Sequence, residues 1–471
     1  MEKIYLVNVK LINNNVNFEL YYASDSLNKD TLNIELKGSN IEYETQYKFS
    51  NYNDINEKSL VKILLSFKIA DYGKIEITKD GKPMEILDNK NEKIVNDGNK
   101  YIIFYQNYKI EINSQYINFS FKKMFDKLKY EVKKQIYSVK KHKKIAIYRL
   151  FKKKYSDNYL FNDRMLYADD NAEQVFKYIN ENQKEFSKKC YYVLDKNSKA
   201  IGRLKKYGKV LKYGSIMHKI KYINCRMVVS SHSSYYDNCF NPFNKEEMDI
   251  YKDLIRKEFF FVQHGIIMND VHKFSNRGKI IADRFVTSTY KENEYLNTNN
   301  YMYEPEMIVK TGLPRFDILV SNPKNIILIA PTWRENLSDK KYNDEEKKEF
   351  KNSEYYKKYR NILSNKLLLD KLKQSNYKIK FLLHPVFAKY SEEFEDLKRE
   401  NIDILNLDNE RYSNLFNECS IFVTDYSSTH FDVATELKPI IYYQFDKENF
   451  FKSHYQKGYF DYENDGFGDV I

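Results

Sequence analysis

Residues 420–434 read SIFVTDYSSTHFDVA. An apolar strand at Ile421–Val423 runs through Thr424, Asp425 and Tyr426 into Ser427, Ser428 and Thr429, and then into a helical pattern. A short continuous apolar run that ends in small polar residues and opens a helix reads as a strand of a buried parallel sheet with helical crossovers. The same texture recurs in CYYVLD (190–195), CRMVVSS (225–231), FFFVQHG (259–265), DRFVTST (283–289) and MIVKTGLP (307–314). It returns in NIILIAP (325–331), KIKFLLHP (378–385), IDILNL (402–407) and PIIYYQFD (439–446). Ten such strands are too many for one small sheet, and they divide near Gly312-Leu313-Pro314. The expectation is an α/β protein with two doubly wound domains, 156–311 and 312–471, facing each other across a cleft.

Upstream the period changes. KIYLVNVKLI, NFELYYAS, TLNIELKG, KILLSFKI, GKIEITKDG and KYIIFYQNYKIEI alternate between turn residues, which predicts a small β-sandwich over 1–118. Between the two regions, residues 121–155 hold thirteen lysines and Arg149 against Asp126 and Glu131. That balance of +12 equals the net charge of all 471 residues, so the rest of the chain is close to neutral. Within it Phe121, Met124, Phe125, Leu128, Val132, Ile136 and Val139 recur at helical steps, giving a basic amphipathic segment over 119–155. Such a helix fits an anionic membrane surface, a solvated linker packed on a neighbouring domain, or a nucleic-acid arm. No nucleic-acid-binding pattern supports the last, and no nucleic acid is expected as a partner.

Composition excludes other classes. The 42% hydrophobic and 16% aromatic content is that of a folded chain, and no apolar run approaches the ~20 residues of a spanning helix. The N-terminus lacks a signal-peptide layout, and the four cysteines show no CxxC spacing, so a reducing cytoplasm is expected, with neither a zinc site nor a disulfide framework.

In open parallel sheets ligands bind beyond the carboxyl ends of the strands, and polar residues cluster there. Gln263, His264 and Gly265 follow one strand; Arg315 and Asp317 follow the hinge; Thr332, Trp333 and Arg334 follow another; His384-Pro385 ends a fourth. Thr424, Asp425, Ser427, Ser428 and Thr429 open a helix, where hydroxyls and free N–H groups suit a phosphate or pyrophosphate. Taken alone, Asp-x-Ser-Ser is more often a plain helix cap. Neither GxxxxGK[ST] nor GxGxxG occurs, which argues against a P-loop ATPase and a dinucleotide site. His264 and His384, one in each domain, fit opposite walls of the cleft, one as a general base and the other as a phosphate-facing donor. His232, in VVSSHSS, is a weaker candidate. Arg315 and Arg334 suit phosphate oxygens, although surface salt bridging is the default for any one arginine.

Taken in order, FVQHGI, KTGLPRFD, APTWRE, LLHP, VTDYSSTHFDVA with KPIIYYQFD, and KGYFDYEN resemble the CDP-glycerol glycerophosphotransferase family, which includes teichoic acid and capsule polymerases. YLFNDRMLYADDNAEQVFKYI (159–179) is similar to that family's entry into its first nucleotide-fold domain. The resemblance runs from about Tyr155 to the end. It implies a GT-B architecture, transfer of glycerol phosphate from CDP-glycerol with release of CMP, and peripheral attachment to the inner face of the cell membrane. It implies a lipid-linked or oligomeric polyol-phosphate or glycan acceptor. His264 would be the base beside the acceptor hydroxyl, with Gln263, Gly265 and Asp270 on the acceptor side. His384 would contact the donor phosphates, with Ser427, Ser428, Thr429 and, in the same cleft, Arg315 and Thr332. Many members carry Trp-His-Gly-x-Pro-Leu-Lys where this chain has Gln263-His264-Gly265-Ile266-Ile267-Met268-Asn269. Relatives usually continue with a helix past the DYENDGFGDVI of residues 461–471, which fits either a truncated chain or one part of a longer polymerase. No carboxylate cluster marks a metal site; a Mg²⁺ held by the donor phosphates stays open. Transfer from CDP-ribitol or a nucleotide sugar, and a non-catalytic membrane scaffold, are the competing readings.

Overall fold

The computed structural model describes residues 157–471 with breaks at 235–236, 239, 245–246, 248–250, 252–254, 256, 299, 339–342 and 406–409; of 3–121 it describes mainly the strands, and of 122–156 only 129, 132–133, 136 and 147–152. The basic segment expected over 119–155 therefore falls largely outside the described residues. Its first three residues belong to the preceding strand, Ile117–Phe121. Near its end a 3-10 turn, Ile147–Phe151, buries Tyr148 against Phe243 and Tyr251.

Two wholly parallel sheets form the body. The first has seven strands in the spatial order Lys209–Lys212, Cys190–Leu194, Asn158–Asn162, Cys225–Ser230, Glu258–Phe261, Arg284–Thr287, Ile308–Lys310. The second has six: Ile402–Leu405, Lys378–Leu382, Ile326–Ile329, Ile421–Thr424, Ile440–Tyr442, Gly468–Val470. All ten strands expected from apolar runs are present. Among the described residues three further strands complete the thirteen: Asn158–Asn162, quoted above only for its family likeness; the edge strand Lys209–Lys212, in which only Leu211 is buried; and the edge strand Gly468–Val470, which buries no residue, so that neither edge strand carries an apolar run. In each sheet the winding reverses beside its first strand, which opens a crevice where Asn162 meets Ser230 and where Ile329 meets Val423. Gly312, at φ +81°, makes the left-handed turn between the lobes that a side chain would resist. One apolar core continues across both, joining Phe161, Ile266 and Met268 to Tyr426, Phe460 and Tyr462.

The N-terminal region is the expected sandwich. Tyr43–Asn53, Ser59–Lys68, Asn15–Ser24, Lys3–Ile12 and Glu85–Asp88 form one sheet; Ile34–Lys37, Gly73–Lys79, Ile117–Phe121, Tyr108–Ile112 and Tyr101–Tyr105 form the other. Phe18, Leu20, Val61, Ile63 and Ile86 of the first pack on Ile34, Ile75, Ile77 and Ile112 of the second. Tyr43–Asn53 was not expected as a strand: its residues are largely polar and two of its tyrosines, Tyr43 and Tyr47, are exposed.

Alternation turns Glu19 away from that core, and it docks on the first α/β lobe. Glu19 accepts Nε and Nη2 of Arg277 at 3.1 and 3.0 Å, while Lys62 reaches Glu19 at 3.4 Å, Glu304 at 2.8 Å and the Met302 carbonyl at 3.0 Å. All three members are buried. Burial alone would raise the Glu19 pKa, but Arg277 and Lys62 outweigh it and hold the carboxyl below its ordinary value. The stabilisation is present above the unfolded pKa of about 4.3 and is lost as pH falls through the lower folded value. Arg277→Ala strands a buried carboxylate and is expected to cost about 3–5 kcal/mol at neutral pH, a deficit that shrinks on acidification. Urea unfolding of parent and variant at pH 7 and pH 3.5 measures both.

Candidate active-site cleft

Between the lobes lies a cleft that is partly open to solvent. Its lining includes Arg164, Asp169, Asp170 and His264 from the first lobe, Arg315 after the hinge, and His384, Tyr412, Ser413, Ser427, Ser428, Thr429 and Asp432 from the second.

His264 is aimed by a strained turn. Gln263 sits at φ +57°, a conformation that non-glycine residues rarely adopt, and the surroundings hold it there. Asn171 Nδ2 donates to the carbonyls of Val262 and Gln263 at 3.0 and 2.7 Å, and Gln263 Nε2 donates to Glu292 at 3.0 Å. Burial pushes Glu292 up to about 7. The His264 ring opens onto the cavity but is walled by protein. Its Nδ1 lies 3.1 Å from the Ser231 carbonyl, which can only accept, so Nδ1 carries the proton and Nε2 keeps its lone pair. Burial lowers its pKa; Asp170 pulls the other way, and Arg164 and Arg315 add to the lowering.

His384 is the complement. Its Nδ1 accepts from Val386 N at 3.3 Å, so the neutral ring bears its proton on Nε2. Burial lowers this histidine to about 3, helped by Arg164, His454 and His264. One wall thus offers an imidazole acceptor and the other an imidazole donor, both uncharged at neutral pH. Beside His384 the turn into the helix His430–Ala434 presents Ser427, Ser428 and Thr429, with the Ser427 and Thr429 hydroxyls 2.9 Å apart. The lobes approach so closely here that a Cβ on Gly265 would lie 2.6 Å from Ser428 Oγ.

Several expected ligand groups serve the scaffold instead. Arg315 donates to Asp432 through Nε and Nη2 at 2.6 and 2.8 Å, and through Nη1 to Asp170 at 2.8 Å and the His264 carbonyl at 2.5 Å. Four of its five N–H groups are spent in a clamp between the lobes. Arg334 is likewise consumed by Asp446, Asp425 and the Thr332 carbonyl. Asp425 is fully buried and accepts from Thr332 N, Tyr426 N and Tyr359 as well. Thr424 Oγ1 donates to the Ala330 carbonyl, and the buried Thr332 hydroxyl is not among the cavity-lining groups. On the acceptor side, Gln263 is turned inward, and Asp270 is bonded to His272 Nδ1 and, through its backbone, to Gln456.

The structure also brings in groups that the strand-end reading passed over. Asp163 and Arg164 follow the strand Asn158–Asn162. The Asp163 carboxylate accepts from the backbone of Asp170, Ala172 and Glu173, from Tyr192 at 2.7 Å and from Ser231, and burial raises it to about 7. Asp169, at φ +109°, reaches Arg411 and Ser413 across the cleft. His232, named from sequence as the weaker candidate, joins them: it stacks on His264 with centroids 4.4 Å apart and planes 17° apart. The signal was available: FNDR (161–164) is itself an apolar strand end running into polar residues and a helix. Among the described residues no three His, Cys, Asp or Glu side chains converge to hold a metal ion.

Two doubly wound lobes closing on such a cavity are the architecture of the two-lobed GT-B transferases. The family model described as CDP-glycerol:poly(glycerophosphate) glycerophosphotransferase matches residues 145–471, and the chain belongs to that family. It is 36% identical over 393 residues to the minor teichoic acid biosynthesis protein GgaB of Bacillus subtilis (strain 168), across 79% of this chain and 42% of that protein. It is 27% identical over 179 residues to the teichoic acid poly(glycerol phosphate) polymerase of Bacillus spizizenii, across 38% of this chain and 39% of that one. The chain thus spans about two fifths of the length of these curated relatives. Among solved structures, a histidine-to-asparagine variant of the wall teichoic acid polymerase TagF, soaked with CDPG, superposes with TM-score 0.50 at 17% identity, over 75% of this chain and 86% of that one. At that identity the likeness is one of fold.

Arg315→Ala would leave Asp432 and Asp170 without their cation in the cleft. A loss of about 3–5 kcal/mol is expected, with a larger radius of gyration as the lobes part. Thermal denaturation and small-angle scattering read the two effects, and Arg315→Lys should fall between parent and alanine.

Proposed function

We propose that the chain transfers glycerol phosphate from CDP-glycerol to a hydroxyl of a growing teichoic-acid-like polymer, releasing CMP. The observation that carries this reading is the pair of neutral imidazoles that line the cleft from either lobe, a proton acceptor at His264 Nε2 and a proton donor at His384 Nε2. Family membership supplies the substrate class.

The acceptor hydroxyl gives its proton to His264 Nε2 as its oxygen bonds to the distal phosphorus. The bond from that phosphorus to the bridging oxygen breaks in line, and its electron pair leaves on the CMP phosphate. His384 Nε2–H and the hydroxyls of Ser427, Ser428 and Thr429 stabilise that leaving charge. Phosphoryl transfer asks mainly for positioning and electrostatics, which fixed uncharged donors provide without reorganisation. A Mg²⁺ would ride on the donor phosphates and complement the same charge.

We infer that the protein works peripherally at the inner membrane face, where a lipid-linked or oligomeric acceptor would be met. Fourteen cations within residues 121–155 support this, and no helix among the described residues is long and apolar enough to cross a membrane.

His264→Ala is expected to reduce CMP release by about 10²–10⁴-fold while retaining donor binding by calorimetry. Near-parental turnover would remove the base assignment, and a donor screen including CDP-ribitol tests the substrate. Because the His264 pKa is lowered, the base is already neutral at pH 7, so kcat should rise with pH along a limb below the ordinary histidine value of about 6.5 and then level off. Deleting residues 122–155 should abolish co-sedimentation with anionic vesicles; unchanged sedimentation rejects the membrane role.

A further inference from the structure

With Arg315 and Arg334 both consumed by carboxylates, the cleft still holds one cation of a different kind. Arg164 stands two residues beyond the first strand of the first sheet, at the point where the winding reverses, and lines the cavity with His264, His384 and Ser428. The carboxylates around it are already committed: Asp169 to Arg411, and Asp170 and Asp432 to Arg315. The neighbouring Asp163 is taken by Tyr192, Ser231 and backbone N–H groups. Among the described residues Arg164 makes no ion pair, and its one side-chain bond runs from Nε to His232 Nε2 at 2.9 Å.

That bond fixes the state of both partners. By accepting at Nε2, His232 is required to be neutral, and a neutral ring repels no second cation. It grips the arginine by Nε alone and leaves both terminal nitrogens of the planar fork for a ligand. A guanidinium fork matches two phosphate oxygens at once. The His232 ring also lies parallel against His264, so the fork and the base are mounted on one stacked platform. Whatever anion the fork holds sits beside the group that deprotonates the acceptor. Arg164 further disfavours protonation of both His264 and His384, keeping both rings uncharged.

We propose that Arg164, oriented by His232, binds the non-bridging oxygens of the phosphoryl group being transferred and stabilises the charge that builds there in the transition state. This rests on the reading above that the cleft takes a CDP-linked polyol. His232 is then a positioning residue, and the leaving phosphate falls to His384 and the Ser427–Thr429 turn on the opposite wall.

The test uses the full chain with CDP-glycerol, a polymer primer and CMP. R164Q should lower kcat for CMP release by about 10²-fold or more, with R164K in between, because lysine keeps the charge and loses the fork. By calorimetry R164Q should bind CDP-glycerol more weakly but CMP within about twofold of the parent, since CMP lacks the transferred group. H232Q, which keeps an acceptor oxygen, should retain more kcat than H232F, which keeps only a ring. Turnover of R164Q within about threefold of the parent overturns the proposal. So does an equal loss of CMP affinity, which would put the fork on the leaving nucleotide. A parent chain that neither binds CDP-glycerol nor releases CMP overturns the underlying reading, and this proposal falls with it.

Discussion

The Arg315 guanidinium, set between Asp432 of the second lobe and Asp170 of the first, ties together the two walls that carry the two imidazoles of the cleft. Two carboxylates and a carbonyl take up its fork, so the ion group is satisfied as a unit and any displacement of one lobe strips donors from acceptors. Because one of those acceptors is the His264 carbonyl, the clamp that closes the lobes also positions the backbone of the base. Gly265 allows the approach, since a side chain there would meet Ser428.

Around that clamp the cleft keeps its reactive groups neutral and its scaffold charged. Arg315, Arg334, Asp425, Asp432 and Asp446 form buried ion pairs, whereas His232, His264 and His384 are held uncharged by burial, reinforced by neighbouring arginines. Neutral rings with one nitrogen engaged have a defined tautomer, and this makes acceptor and donor roles assignable from heavy atoms alone. The sandwich domain extends the same logic outward. It is bolted to the first lobe through Glu19, Lys62 and Arg277, so it moves with the wall that carries His264.

Much of this was legible before any coordinates. The buried parallel strands declared themselves because burial on both faces demands continuous apolar runs, and their polar ends marked the rim of the cleft. His264, His384 and the Ser427–Thr429 turn were found that way. Lys209–Lys212 and Tyr43–Asn53 were not, since an edge or half-exposed strand leaves no such run. Asp163 and Arg164 were legible by the same rule but lay in a stretch read only for its family likeness.

What the amino-acid order determined by itself is therefore the sheet class, the division into lobes and the identity of the residues at the strand ends. Each of these follows from local period and from the need to bury apolar surface. Which of those polar residues face a ligand and which hold the molecule together was decided only in three dimensions. Arginines 315, 334 and 164 look alike in sequence, yet the first two meet carboxylates brought from about a hundred residues away and the third meets a neutral histidine. A charge is available to substrate only where folding has brought it no partner, and partnership at that range is a property of tertiary structure.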